Sequence, residues 1–178
     1  MQDYLKDVLA SSYQNKKTAQ NTLEKYGAKV DKELSGKEVK VFVDKEGKPN
    51  VAVRGSKNWK DFVISDPLLA LGLGKYDPRK RRTDELIQKV KNKYKVDPNL
   101  YGHSLGGALI SGADTKGTIT TFNKGAGLAE LFKPIPSNQT DVRTSGDLVS
   151  VLSATQSGGQ KKLINNPNIL SAHSISNL

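Results

Sequence analysis

The five residues Gly102-His103-Ser104-Leu105-Gly106 have the Gly-x-Ser-x-Gly pattern, which presents a nucleophilic serine on a sharp turn between a strand and a helix. A serine on such a turn adopts a strained backbone, and the chain on either side passes close to its neighbours. Glycines at positions 102 and 106 remove the side chains that would collide there. The pattern therefore predicts that Ser104 attacks a substrate and forms a covalent intermediate.

A serine nucleophile needs a general base, and the chain contains two histidines, His103 and His173. His103 is adjacent to Ser104, and neighbouring side chains on such a turn point in different directions. We therefore predict that His173 is the base, which takes the Ser104 proton and later delivers it to the leaving group.

Between the predicted nucleophile and base the chain offers four carboxylates that could orient the histidine: Asp114, Glu130, Asp141 and Asp147. We choose Asp147, because it follows a predicted strand and a short turn. That places it at the carboxyl edge of the sheet, where the sites of open α/β sheets form. Asp141, at the start of the same predicted strand, is the second choice.

The oxyanion that forms during acyl transfer needs hydrogen-bond donors. One is usually the backbone N–H of the residue after the nucleophile, which here is Leu105. The other is expected in a loop that follows an earlier strand. The predicted strand 51–53 leads into such a loop, where Ser56 offers both a backbone N–H and a hydroxyl.

The elements that must position these residues alternate along the chain, and we expect them to form one domain over residues 1–178. An amphipathic helix within residues 1–27 is expected to pack against the rest of that domain. Predicted strands are 39–43, 51–53, 99–102, 118–122 and 141–144, the first two forming a hairpin. Predicted helices beyond the first are 58–65, 83–94 and 105–113. Their alternation favours a parallel or mixed sheet with crossover helices.

The composition limits the partners and cofactors. The 178 residues include 28 Lys and Arg against 18 Asp and Glu, a formal charge of +10. This excess serves solubility, or it attracts an anionic membrane surface or nucleic acid. No nucleic-acid-reading motif is recognisable, so no nucleic acid partner is expected. With no cysteine and two histidines, we expect no disulfide and no metal site.

The sequence also lacks a hydrophobic run of about 18 residues and the basic-then-apolar pattern of a signal peptide. Together with the absence of cysteine, this leads us to expect an intracellular or virion-associated protein.

Residues 66–82 combine an apolar stretch with a basic loop over residues 75–82. We expect this segment to form a lid or an interfacial loop, because leucines in a short loop are costly to expose to water unless another surface contacts them. The residues expected to contact membrane or substrate are Leu68, Leu69, Leu71, Arg79 and Arg81. Each cation near an anionic leaflet contributes on the order of 1 kcal/mol. The alternative is that the leucines pack in the core.

Taken together, these segments resemble the class 3 lipases, which include fungal triacylglycerol lipases. The resemblance covers residues 39–178. The segments that carry it are Val51–Asp61 for the oxyanion strand and loop, Tyr101–Leu109 for the elbow, Ile119–Asn123 for the next strand, Val142–Val149 for the acid and Ala172–Ile175 for the histidine.

The resemblance implies a compact α/β-hydrolase fold, with a mixed and mostly parallel sheet and helices on both faces. It implies hydrolysis of lipid acyl esters through an acyl-enzyme, without a cofactor. It carries over Ser104, Asp147 and His173 as the catalytic triad, with Ser56 and Leu105 as oxyanion donors. The chain is shorter than the secreted fungal members and lacks their disulfides, which affects the expected lid and substrate size but not the triad.

Two other classes of function fit parts of the sequence. A catalytically silent relative would use the same fold to bind a membrane surface or another polyanion. The intact order of Ser56, Ser104, Asp147 and His173 argues against it. An acyltransferase or a peptidase would use the same triad on other substrates.

Overall fold

A seven-stranded sheet lies at the centre of the part of the chain that the structure describes. The computed structural model describes residues 2–56, 78–125, 132–168 and 171–178. Its strands are β1 (Lys29–Val30), β2 (Val39–Val43), β3 (Pro49–Val53), β4 (Asn99–His103), β5 (Ile119–Phe122), β6 (Ile135–Thr144) and β7 (Gly158–Ile164). Its α-helices are α1 (Gln2–Ser11), α2 (Lys16–Glu24), α3 (Pro78–Tyr94) and α4 (Leu105–Ile110), and short 3-10 helices span Leu152–Thr155 and Ile175–Asn177.

The strands lie side by side in the order of the sequence. The first three pair antiparallel, and β2 and β3 form the predicted hairpin. From β3 to β7 all pairs are parallel, with Val53 beside Gly102 and Gly102 beside Thr121. The carboxyl ends of β3, β4, β5 and β6 therefore meet at one edge of the sheet, which is where open α/β sheets place their sites.

Helices cover both faces of this sheet. Successive residues of a strand point to opposite faces, so the strands present apolar side chains on both sides. On one face, Ile87 of α3 and Leu109 of α4 pack in the same buried cluster as Leu100 of β4. On the other face, Val8 of α1 packs with Ala52 of β3, in a cluster that α2 completes. The prediction of a mixed, mostly parallel sheet with helices on both faces is confirmed.

The N-terminal segment differs from the single amphipathic helix predicted within residues 1–27, because it forms two helices, α1 and α2. The hydroxyls of Ser11 and Ser12 bond back to carbonyls three residues earlier, which competes with continued helical bonding. Asn15 then caps α2, since its side chain accepts a hydrogen bond from Thr18 N at 2.9 Å. The break leaves Tyr13 in the turn between the helices.

Helix α3 also begins earlier than predicted. It starts at Pro78, a residue favoured in the first turn because it has no N–H to leave unpaired, and not at Thr83. The basic loop predicted over residues 75–82 is therefore wrong from residue 78 onward. The helix predicted at 58–65 lies outside the described residues.

Candidate active site

Ser104 lies between β4 and α4, with backbone angles φ 56° and ψ −125°. These angles are in a region that L-residues rarely adopt, so the turn is strained. A Cβ at Gly102 would lie 2.6 Å from the backbone of Gly106, and a Cβ at Gly106 would lie 2.2 Å from the carbonyl oxygen of Val53. Both glycines are required because the chain passes this close to itself, as the sequence pattern predicts.

The structure brings His173 and Asp147 together. His173 Nδ1 lies 2.8 Å from Asp147 Oδ1, and both side chains are only 2% exposed. The carboxylate also accepts the backbone N–H of Val149 on Oδ1 and of Ser150 on Oδ2, each at 3.2 Å. Because an ionised carboxylate is an acceptor only, Nδ1 carries a proton and donates it. In the neutral imidazole, Nε2 then has the lone pair that a general base needs.

The backbone just before His173 is held by the ends of two strands. Asn123, directly after β5, donates from Nδ2 to the carbonyl oxygen of Ala172 at 2.8 Å. Thr144, the last residue of β6, donates from Oγ1 to the same oxygen at 2.6 Å. Asn123 Oδ1 in turn accepts the N–H of Thr144 at 2.8 Å. All these groups are buried, so the position of His173 follows from the register of the parallel strands.

His103 links the elbow to His173 and to the N-terminal segment. Its Nε2 lies 2.9 Å from the carbonyl oxygen of His173, which can only accept a hydrogen bond, so Nε2 carries the proton. Its Nδ1 therefore accepts from the hydroxyl of Tyr13 at 2.7 Å. The same hydroxyl accepts the N–H of Gly55 at 2.9 Å. One chain of buried and partly buried hydrogen bonds thus joins the loop after β3, the elbow and His173.

Tyr13→Phe is expected to lower the free energy of unfolding by about 1–3 kcal/mol, because it leaves the buried Gly55 N–H and His103 Nδ1 without their partner. Urea denaturation measures the change. The matched control is Tyr26→Phe, whose hydroxyl binds the carboxylate of Asp7 in a less buried place. An equal loss in the two variants would contradict a special role for Tyr13.

Burial, and then the neighbouring His173, lower the pKa of His103 from 6.5 to about 3. His103 is therefore neutral at physiological pH, in agreement with its hydrogen bonds. In the unfolded chain the same side chain binds a proton below pH 6.5. Between these two pKa values the unfolded state binds more protons, so stability falls as the pH falls.

We expect acidification from pH 6.5 to pH 5 to lower the stability of the wild-type protein by about 1.5 kcal/mol more than that of His103→Gln, because the slope rises from about 0.7 kcal/mol per pH unit at pH 6.5 to about 1.4 kcal/mol per pH unit at pH 5. Glutamine keeps a donor in the position of Nε2 but does not titrate. Chemical denaturation at several pH values gives both slopes. Parallel slopes would show that His103 is not held neutral.

The predicted oxyanion donors lie on two segments that meet at Ser104. Leu105 is the first residue of α4, and the first N–H groups of a helix have no acceptor within it. Gly55 is so near the elbow that a Cβ there would lie 2.8 Å from Ser104 Cβ. Ser56, partly buried, directly follows Gly55. The described part of this loop, which runs to Ser56, therefore lies beside the predicted nucleophile.

Two of the other candidate acids lie elsewhere in the described residues. Asp141 forms an ion pair with Lys124 at 2.5 Å and accepts hydrogen bonds from Thr121 and Gln139, each at 2.7 Å. Asp114 is 92% exposed and pairs with a surface lysine. The third, Glu130, lies outside the described residues.

The residues predicted to contact membrane or substrate have different outcomes. Leu68, Leu69 and Leu71 lie outside the described residues. Arg81 is 84% exposed on α3 and pairs with Glu85. Arg79 is only 11% exposed, turns toward Glu38 and lies in α3 instead of the predicted loop. None of the helices in the described ranges has the length and hydropathy of a membrane-spanning segment.

The described residues contain no group of three or more His, Asp or Glu side chains placed to hold a metal ion. The polar residues that hold His173 directly or through one another are instead ones that sequence reasoning missed: Tyr13, His103, Asn123 and Thr144. Asn123 carried a usable signal, since it directly follows a predicted strand at the carboxyl edge. Tyr13 carried none, because its contact depends on the break between α1 and α2.

No family model and no curated protein sequence matches this chain. Among solved structures, it is similar to the crystal structure of the Lip2 lipase from Yarrowia lipolytica, with a TM-score of 0.58. The alignment covers 92% of this chain and 79% of that chain, at 14% sequence identity. A likeness at this identity concerns the fold alone. Together with the sheet described above, it shows that the chain has an α/β-hydrolase fold like that of a lipase.

Proposed function

We propose that the protein is a serine ester hydrolase that cleaves acyl esters of lipids through an acyl-enzyme on Ser104. The observation that carries the proposal is the buried His173–Asp147 pair, 2.8 Å apart. It lies at the same sheet edge as a serine held in a strained turn. A structural hydrogen-bonded pair at this edge would not require that strain, whereas a nucleophile presented on a strand-to-helix turn does.

In the first half of the reaction, Ser104 Oγ attacks the acyl carbonyl carbon while His173 Nε2 takes the hydroxyl proton. The carbonyl electrons move onto the oxygen, where N–H donors of Leu105 and Ser56 stabilise the negative charge. The electrons return as the ester bond breaks, and the imidazolium gives its proton to the departing alcohol. Asp147 stabilises that imidazolium without taking its proton.

In the second half, water replaces the alcohol. His173 takes a proton from the water as its oxygen attacks the acyl carbon of Ser104. The second oxyanion collapses, the fatty acid leaves, and the proton returns to Ser104 Oγ. The chain's own residues balance every proton in this cycle, so the proposal needs no cofactor.

The lipid part of the proposal is supported by the likeness of the fold to a lipase and by the resemblance of the elbow to class 3 lipases. The basic charge of the chain favours esters presented at an anionic membrane surface. Phospholipids and neutral glycerides both carry acyl esters, and the rates of fatty-acid release from the two lipids separate a phospholipase from a triacylglycerol lipase.

The test is hydrolysis of p-nitrophenyl butyrate and p-nitrophenyl palmitate by the purified chain. We expect release of p-nitrophenol from both, and fatty acid from vesicles of phosphatidylglycerol or from emulsified triacylglycerol. Hydrolysis of the soluble ester alone would overturn the lipid part. Rates equal to buffer on all four substrates would favour the catalytically silent relative.

A further inference from the structure

Three arginines surround the carboxylate of Glu38, where the start of β2, the end of β3 and the first turns of α3 meet. Arg79 Nε lies 3.4 Å and Arg54 Nη2 3.9 Å from Glu38 Oε1. Arg82 Nη2 lies 3.3 Å from Oε2. The side chains of Arg54 and Arg79 are 12% and 11% exposed, and that of Arg82 is 58% exposed. Two cations are therefore mostly buried, and the third lies at the surface.

The carboxylate of Glu38 does not satisfy the buried donors of Arg54. Its nearest oxygen lies 3.9 Å from Arg54 Nη2, which is beyond hydrogen-bond distance. Arg79 Nη2 uses one donor on the carbonyl oxygen of Arg54. Arg54 Nε and Nη1 are buried without a hydrogen-bond partner among the residues that the structure describes. Buried charged donors without acceptors are costly, so Arg54 is short of acceptors.

A cavity of about 420 Å³ adjoins the arginine cluster, a volume within the usual range for ligand pockets. The polar residues that line it are Lys37, Glu38, Arg54, Arg79, Arg82 and Thr83. Four of these side chains are cationic and one is anionic. The lining therefore has an excess of positive charge and a shortage of acceptors in the same place.

The positive charge of the arginine cluster affects the pKa values of two neighbouring residues, Lys40 and Tyr13. Burial, and then the guanidinium of Arg54, lower the pKa of Lys40 to about 8. The charges of Arg54 and Arg79 also act to lower the pKa of the Tyr13 hydroxyl, against a larger increase caused by burial. The positive charge of Arg54 therefore acts on residues of β2 and of the turn after α1.

We propose that this cavity binds a phosphate group, with the guanidinium groups of Arg54, Arg79 and Arg82 as its donors. A guanidinium matches phosphate in a bidentate, charge-assisted geometry. A phosphate also offers more acceptor oxygens than a carboxylate, as the excess of donors requires. Arg54 lies two residues before Ser56, so the phosphate would lie near the predicted oxyanion loop. The source is a lipid head group or a free phosphate, and binding does not depend on the proposed hydrolysis.

The test is calorimetric titration of the full chain with inorganic phosphate, against sodium chloride of equal ionic strength. The variants are Arg82→Gln and, as matched control, Arg81→Gln. Both change the same charge on the same helix, but Arg81 is 84% exposed and pairs with Glu85 outside the cavity. We expect Arg82→Gln to weaken phosphate binding by about tenfold or more, and Arg81→Gln to leave it unchanged.

A second pair of variants tests whether the loss of a negative charge beside the arginines strengthens phosphate binding. Glu38→Gln removes the anion that competes for the arginines, and we expect tighter phosphate binding. Glu85→Gln removes the same charge from the outer side of α3 and should change nothing. Circular dichroism verifies the fold of each variant, and the arginine pair remains decisive if Glu38→Gln unfolds.

Vesicles of phosphatidylglycerol identify the source of the phosphate. If Arg82→Gln weakens binding to the vesicles and inorganic phosphate competes with them, the ligand is a lipid head group. If only phosphate in solution distinguishes Arg82→Gln from Arg81→Gln, the ligand is a free phosphate. Absence of saturable phosphate binding, or equal losses in the two arginine variants, overturns the site. Loss of ester hydrolysis alone would not, because these readouts measure binding.

Discussion

Ser104→Ala is expected to lower kcat for ester hydrolysis by about 10⁶-fold, because no acyl-enzyme can form without the hydroxyl. The rate that remains comes from substrate binding and the oxyanion donors. The fold is expected to survive the change, since alanine keeps the Cβ that packs near Gly55 and leaves the backbone of the elbow unaltered. Stopped-flow or steady-state release of p-nitrophenol measures kcat.

The control is Ser176→Ala, the same substitution at an exposed serine in the C-terminal 3-10 helix. It should hydrolyse the ester at the wild-type rate. Equal kcat values for wild type and Ser104→Ala, with both proteins folded, would remove Ser104 from the mechanism even if ester hydrolysis itself were observed.

Asp147→Asn is expected to lower kcat by about 10⁴-fold, which is the usual effect of the amide at this position of a triad. The structure gives a specific reason. Val149 N–H donates to one carboxylate oxygen and Ser150 N–H to the other. If the asparagine NH₂ group takes the position of Oδ2, it faces the N–H of Ser150. If it takes the position of Oδ1, it faces the N–H of Val149 and also His173 Nδ1, which must then accept, so the histidine proton moves to Nε2.

The same kcat assay measures this effect, and Asp114→Asn is the control because Asp114 is 92% exposed and pairs with Lys91. A loss of less than about tenfold in Asp147→Asn would mean that another group orients His173, since one ordinary hydrogen bond contributes roughly 0.5–1.5 kcal/mol. Asp141 would not be that group, because Lys124, Thr121 and Gln139 hold it on the α4 side of the sheet.

Much of the architecture was predictable because its signals are local. The two glycines around Ser104 imply a close approach of the backbone, and in the structure a Cβ at either position would lie only 2.6 or 2.2 Å from another backbone atom. The hairpin of β2 and β3 and the strand before the elbow follow from alternating apolar residues and turn residues. The roles of Ser104, Asp147 and His173 stay predictions, but the geometry places the second and third in hydrogen-bond contact.

The parts that were not predictable depend on distant contacts. Residues 3–26 have the spacing of one amphipathic helix, yet the serine hydroxyls at 11 and 12 and the cap at Asn15 divide it. His103 was excluded as a base because of its position next to Ser104, and its contact with the His173 carbonyl spans 70 residues. Periodicity reports which face of an element is apolar, but not which distant polar group completes a hydrogen bond.

The most direct test of the central claim is covalent trapping of the nucleophile. A long-chain alkyl p-nitrophenyl phosphonate forms a stable adduct with an activated serine and releases p-nitrophenol, and mass spectrometry of the digested protein locates the adduct. We predict a single phosphonyl group on Ser104 in the wild-type protein and none in Ser104→Ala. An unmodified Ser104 in folded protein, or an adduct on another residue that persists in Ser104→Ala, would contradict the mechanism.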